Sequence, residues 1–264
     1  MIFRNGYANT HTMLKLVMMA IIICSSLVAA EDQDQTGFST LQGKPFLMAA
    51  PRRSETHLFK WWALIYSEVF RRAGVKLKME YFPIKRASLE ADIGNVDGEP
   101  ARIRQYQNNH YNLVRIDEFV HTLQINAYAT KIKTPLNGWQ SLKGKKYYVE
   151  YLRGVEISEY NLTKVLDKKY LTDSSSAFHS LEKLLSNRID LYIDSHNAIS
   201  PLLKQVPFGG VIYPIGLMES VDLYFYIHRK HKQYIPKLTK IIQNMKEEGL
   251  IKQYRDKVYG LTNN

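Results

Sequence analysis

The segment Tyr81–Arg104, reading YFPIKRASLEADIGNVDGEPARIR, constrains the fold more than any other part of the chain. Lys76–Glu80 and the residues that open the segment alternate polar and apolar, as a half-buried strand does. Pro83 stops that pattern. Ile84, Ala87, Leu89, Ala91 and Ile93 then mark a short helix running into Gly94-Asn95, a C-terminal cap. A second strand restarts near Val96-Asp97-Gly98. Strand, helix and strand within about thirty residues form a βαβ unit, whose two strands run parallel because the connection crosses over. Ligands of such sheets sit beyond the carboxyl ends of the strands. Arg86, Glu99 and Arg102 fall near those ends, so function is sought there first.

The N-terminus reads as a targeting segment rather than as part of the fold. Arg4 and Lys15 precede an apolar run, Leu16–Ile23, and small residues including Val28 and Ala30 lead to an acidic start at Glu31. That order is the pattern of a cleaved secretory signal peptide over residues 1–30, with Met13 as an alternative start. Cys24, the single cysteine, lies inside it, so the exported chain is expected to carry no disulfide and no cysteine-based metal site. The formal charge of +11 falls to +9 without residues 1–30, which hold two cations and no acid. The basic residues are dispersed, with no Lys/Arg block and no zinc spacing, so a solvated basic surface is expected rather than a nucleic-acid site.

Beyond the leader, the chain alternates strand and helix. Pro45–Ala50 is a buried strand, and Phe59, Trp62, Tyr66 and Phe70 mark a helix with Ser54 or Thr56 as N-cap and Gly74 as C-cap. Trp61 lies off that apolar stripe, exposed or reaching the cleft, with core packing as the default expectation. Tyr111–Ile116 and Leu123–Ala129 read as separate extended segments. Lys146–Tyr151 and Leu191–Asp194 read as further strands, and His196–Lys204 as a helix. Val221–His228 is a long strand, and Tyr234–Glu248 and Leu250–Val258 are terminal helices. Such alternation predicts an α/β protein with mostly parallel sheets flanked by helices.

Four motifs in order resemble the bacterial extracellular solute-binding proteins of the amino-acid type (family 3). Pro83-x-x-Arg86, with Gly94, Asp97-Gly98 and Arg102, resembles the segment after that family's second strand. Ser141–Lys145 with Gly154 is similar to the start of its second lobe, Asn187–Asp194 to its G-x-v-D strand, and Glu247–Ile251 to its ending. The resemblance implies a two-lobed, type 2 periplasmic-binding-protein-like fold with a ligand cleft at the hinge. Residues 31–124 plus 221–264 would form the first lobe and 125–220 the second. It also implies hinge closure on a small-molecule ligand, an amino acid or another small carboxylate, and a partner in an ABC-transporter permease or a membrane sensor. A monomer is expected.

The resemblance and the strand-end rule together yield six candidate ligand-binding residues. Arg102 would pair its guanidinium with a ligand carboxylate; its alternative is an internal partner for Glu99. The family's usual pattern has a longer spacer and a threonine before this arginine, which leaves room for a ligand that is not an amino acid. Asp194 would hold an α-amino group, or else cap the following helix. Arg86 lines the cleft or is an exposed helix arginine. Arg153-Gly154 stands where a strand gives way to a helix whose free N–H groups suit an anion, the glycine permitting close approach. Tyr151 supplies an aromatic wall or packs in a core.

Enzyme readings find little support. No nucleophile elbow, HExxH, P-loop or dinucleotide turn is present, and the eight histidines are scattered. A non-enzymatic binding protein without a cofactor is expected, with an exported enzyme on the same fold as the remote alternative.

Overall fold

The structure is a computed structural model in which residues 43–261 are described. The expected signal peptide, Cys24 and the leader after it lie outside these residues. Among the described residues no helix is long and apolar enough to cross a membrane.

Strand β1 (Phe46–Ala50) is apolar throughout and almost wholly buried. It pairs in parallel with β2 (Leu77–Tyr81) on one side and with β3 (Gly98–Ile103) on the other. The βαβ unit is therefore present, with its two strands parallel but separated by β1. Helix α1 (His57–Ala73) joins β1 to β2. The Thr56 hydroxyl accepts the Phe59 N–H at its start, and Gly74, left-handed at φ 76°, ends it. Helix α2 (Ile84–Asp92) joins β2 to β3. Phe46, Phe70 and Phe225 pack ring on ring, with the first pair 4.5 Å apart between centroids. Each such ring contributes roughly 1.5–3 kcal/mol by leaving water.

The second half repeats the layout. Strands β6 (Val149–Leu152), β7 (Leu171–Ser174) and β8 (Leu191–Ser195) pair in parallel, β6 lying between the others. Helix α3 (Glu156–Val165) follows β6, and α4 (Ala177–Leu185) follows β7. Asn187 stands at φ 55° in the turn before β8, a left-handed position asparagine tolerates better than most side chains.

Two long antiparallel strands join the halves. The sequence reads two segments over Tyr111–Ile116 and Leu123–Ala129; the structure has one strand, β4 (Leu113–Ala129). It pairs with β9 (Tyr213–His228), which begins eight residues earlier than Val221. Asp117-Glu118 and Pro214-x-Gly216 hide this continuity in the sequence. Register shifts near Arg115, Phe119 and Ile125 let the ladder pass those polar residues without breaking. Sheet order is β2-β1-β3-β9-β4-β8-β6-β7, with β5 (Leu136–Asn137) beside β9. β9 runs antiparallel to β3 and β4 antiparallel to β8, while the short β5 is parallel to β9, so each half is mixed rather than purely parallel.

One further expectation changes. Helix α5 spans only His196–Ile199, and a 3-10 turn at Leu202–Lys204 replaces its continuation around Pro201, which has no N–H to donate. Trp61 is buried, in line with core packing. The terminal helices α6 (Ile235–Glu247) and α7 (Leu250–Tyr259) pack on α1 and cover its outer face. Trp61 Nε1–H donates to the Ile251 carbonyl at 3.0 Å.

Candidate functional site

The loops at the carboxyl ends of β1, β2 and β3 face those at the ends of β6, β7 and β8. Between them lies a cleft with two chambers. The inner chamber, about 90 Å³, is lined mainly by apolar side chains, among them Leu58, Trp62, Ile84, Leu123, Ile157 and Val221. The outer chamber, about 810 Å³, is lined by Arg52, Arg53, Lys85 and Tyr81 from the first half. Arg153, Ser176, Phe178 and His179 line it from the second. Pro51, Arg52, Leu58 and Ile84 border both chambers.

Arg102 is at the end of β3 and lines the inner chamber. Its Nη2 donates to Glu99 Oε1, to Ser88 Oγ at 3.1 Å and to the Ile84 carbonyl at 3.4 Å. Burial by itself lowers the Arg102 pKa, but the Glu99 carboxylate outweighs it and the net shift is upward. Glu99, fully buried, accepts the Tyr106 hydroxyl at 2.6 Å on its other oxygen. The Tyr106 ring stacks on His110 at 4.0 Å, and burial pushes its hydroxyl pKa up. His110 Nε2 in turn lies 3.6 Å from Glu156 Oε1, in the first turn of α3 across the cleft. Polar contacts thus run from Ser88 through Arg102 and Glu99 to Tyr106, and the Tyr106–His110 ring stack carries the chain on to Glu156 in the second half.

Asp194 is the penultimate residue of β8 and is 4% exposed. Its Oδ1 accepts the Ser195 N–H at 2.6 Å, and its Oδ2 accepts the Tyr192 hydroxyl at 2.8 Å. Ser195, not Asp194, is the N-cap of α5. From the other side of the cleft Arg52 Nη2 comes within 3.7 Å of Oδ1. The Ser195 hydroxyl lines the inner chamber and has no partner among the described residues.

The other candidates divide. Gly154 lines the inner chamber at φ +86°, and a Cβ there would stand 2.9 Å from the Ile84 Cβ, so the lobes touch at this residue. Arg153 borders the outer chamber and donates from Nε to Asp173 at 2.7 Å. Arg86 lines none of the described cavities. It points to solvent, where its Nε reaches Glu90 one turn along α2, because Ile84 and Lys85 occupy the cleft side of the helix. Tyr151 is not an aromatic wall: it packs in the second lobe's core with Val149, Leu162 and Ile193, and burial raises its hydroxyl pKa to about 12. Arg52, Tyr106, His110 and Glu156 escaped the sequence reading. Arg52 alone had a legible signal, since it follows directly on the carboxyl end of β1.

Behind the cleft, Trp62 Nε1–H donates to His121 Nε2 at 3.0 Å. That nitrogen must be an acceptor, and burial pulls the His121 pKa down to about 4. Among the described residues no group of three or more His, Cys, Asp or Glu side chains is placed to hold a metal ion.

The fold is that of the two-lobed periplasmic binding proteins. An ancestral arginine-binding protein bound to glutamine superposes with a TM-score of 0.67 at 17% identity, covering 82% of this chain and 98% of the other. A histidine kinase sensor domain with similarity to periplasmic binding proteins gives 0.68 at 12% identity, over 82% and 96%. A histidine-bound substrate-binding protein of an ABC uptake transporter from Streptococcus pneumoniae gives 0.66 at 11%, over 85% and 96%. No protein-family model matches the chain. An uncharacterized protein of Shewanella oneidensis (strain MR-1) is 34% identical over 242 residues, 90% of this chain and 92% of its own length. The chain belongs to the same family as that protein.

Proposed function

We propose that the protein is an exported, non-enzymatic solute-binding protein, a divergent relative of the family 3 type, that closes two lobes on a small polar ligand. The lobes are residues 31–124 with 221–264, and 125–220. The observation that carries this reading is a cleft lined from both lobes and crossed by Arg52···Asp194 and His110···Glu156. Such a cleft is stabilised closed by whatever ligand touches both sides, to the extent of its differential affinity for the closed state. Structural neighbours that bind arginine, glutamine or histidine support a carboxylate-bearing ligand, amino acids being one class. Delivery to an ABC-transporter permease in the periplasm is the role this reading implies.

A thermal-shift screen tests it, using protein lacking residues 1–30 against amino acids, small peptides, organic acids, polyamines and sugars. A ligand that binds only the folded state raises Tm by mass action, by roughly 3 kcal/mol of stability at a hundredfold excess over Kd. A compound that raises Tm and compacts the protein in small-angle scattering supports the reading. No shift with any class removes it. The likeness to a histidine kinase sensor domain favours a second role, presentation of the ligand to a membrane receptor. Ligand-dependent stimulation of a permease ATPase by the protein separates the two.

A further inference from the structure

We propose that the ligand is an elongated organic anion with at least two oxyanion groups, held by Arg53 and Lys85 in the outer chamber, rather than a free zwitterionic amino acid. This rests on the solute-binding reading and specifies its ligand.

The two charges that would hold a zwitterion are already satisfied within the protein. The Arg102 Nε and Nη2 donors are taken by Glu99, Ser88 and the Ile84 carbonyl, and its charge is paired with the Glu99 carboxylate. The Asp194 oxygens accept the Ser195 N–H and the Tyr192 hydroxyl and face Arg52. A ligand ammonium at Asp194 would have to displace a guanidinium. The inner chamber, which Arg52 and Arg102 border and Asp194 does not line, is small and mostly apolar, suited to a few carbon atoms rather than to a charged pair.

The outer chamber differs in size and in charge. Its volume of about 810 Å³ falls in the range of roughly 300–1,000 Å³ that encloses ligands much larger than a single amino acid. Arg52, Arg53, Lys85 and Arg153 line it, with His57 and His179, and among the described residues the only lining carboxylate is Glu55. Arg153 is engaged by Asp173 and Arg52 loosely by Asp194. Arg53 and Lys85 are exposed and have no ion-pair partner among the described residues. The Arg53 guanidinium lies 4.7 Å from the Tyr81 ring centroid, which presents it toward the chamber without neutralising it. Two exposed rings, Tyr81 at 40% and Phe178 at 42%, line the same space and offer a planar or apolar body something to pack on. Cations in a partly enclosed site bind oxyanions by charge-assisted hydrogen bonds, and the enclosing walls strengthen them.

Isothermal titration calorimetry of the purified protein tests this with citrate, the dipeptide glutamyl-glutamate and pyrophosphate, against L-arginine, L-glutamine and L-histidine. One of the three anions is expected to bind one-to-one and more tightly than any of the amino acids. Its affinity should fall about tenfold or more in Arg53→Ala and in Lys85→Glu. Citrate or the dipeptide as the tighter binder identifies a polycarboxylate, and pyrophosphate identifies a phosphorylated ligand. Both changes lie at exposed positions, and an unchanged Tm without ligand verifies the fold. An amino acid that outbinds all three anions overturns this inference, as do anion affinities untouched by both substitutions; each leaves the solute-binding reading intact. Absence of binding by all six probes overturns this inference, whereas the solute-binding reading falls only if the wider thermal-shift screen is also silent.

Discussion

The Arg52 guanidinium, from the loop after β1, stands 3.7 Å from the Asp194 carboxylate near the end of β8, an ion pair that crosses the cleft. Asp194 is 2% exposed at its side chain and Arg52 18%, so the pair is only weakly screened by solvent. It ties the lobes together without a ligand. Arg52→Ala is expected to shift the protein toward the open form, visible as a larger radius of gyration in small-angle scattering. Asp194→Asn, which keeps an oxygen for the Ser195 N–H, should open it as well. An unchanged radius in both variants would show that the pair does not hold the cleft.

Glu99 and Arg102 form a second buried pair, within one lobe. Removing one partner leaves the other charged, buried and uncompensated, a defect that typically costs about 3–5 kcal/mol. Arg102→Ala and Glu99→Ala should each lower unfolding stability by that order, and Arg102→Met with Glu99→Gln by less than the sum. Denaturant titration measures it. Equal and additive small losses would mean that water reaches the pair.

Gly154 meets Ile84 where the two lobes touch. Gly154→Ala forces an L side chain to φ +86° and pushes a methyl into Ile84, costing about 1–2 kcal/mol for the backbone alone. The substitution should weaken ligand binding by disfavouring closure. Adding Ile84→Ala should recover part of that loss, because it removes the clash but not the strain. A double-mutant cycle with no coupling between the two positions would contradict the contact.

His121 confers a pH dependence of known sign. Its folded pKa is depressed by burial from the ordinary 6.5 to about 4. Between those values the unfolded chain binds a proton that the folded one does not, so stability rises with pH across this window. The contribution is fully present above the unfolded pKa and is lost as pH falls through the folded one, in all roughly 3 kcal/mol. Urea unfolding near pH 5 and pH 7 should show a smaller pH effect in His121→Gln than in the parent chain. An identical pH effect in both would mean that His121 is not the group responsible.

Local rules carry far in this chain where local chemistry decides. The α1 cap, narrowed to Ser54 or Thr56, the αL glycine at 74 and the start of β8 are all legible from the sequence. These features depend on residues within a turn of one another, so their signal survives without tertiary information. The α/β class was legible for a related reason, since strand and helix periodicities alternate along the chain; the two-lobed form was what the resemblance to the family 3 solute-binding proteins implied.

What the tertiary structure alone decided is which charges meet. Arg86 and Lys85 are neighbours in sequence, yet only Lys85 borders the cleft, because the rotation of α2 against β1 and β3 sets which face looks inward. Tyr151 ends a strand as a binding residue would, but alternation on β6 turns it into the core. Arg52 and Asp194 are brought together by the long β4–β9 ladder, whose pairing resumes beyond the irregular stretch at Asp117 and Glu118 through cross-strand partners that no local window contains. Sequence determines the strands, the turns and the kinds of side chain available at their ends. Pairing across the cleft depends on distances through space, and those exist only once both lobes are folded around their shared strands.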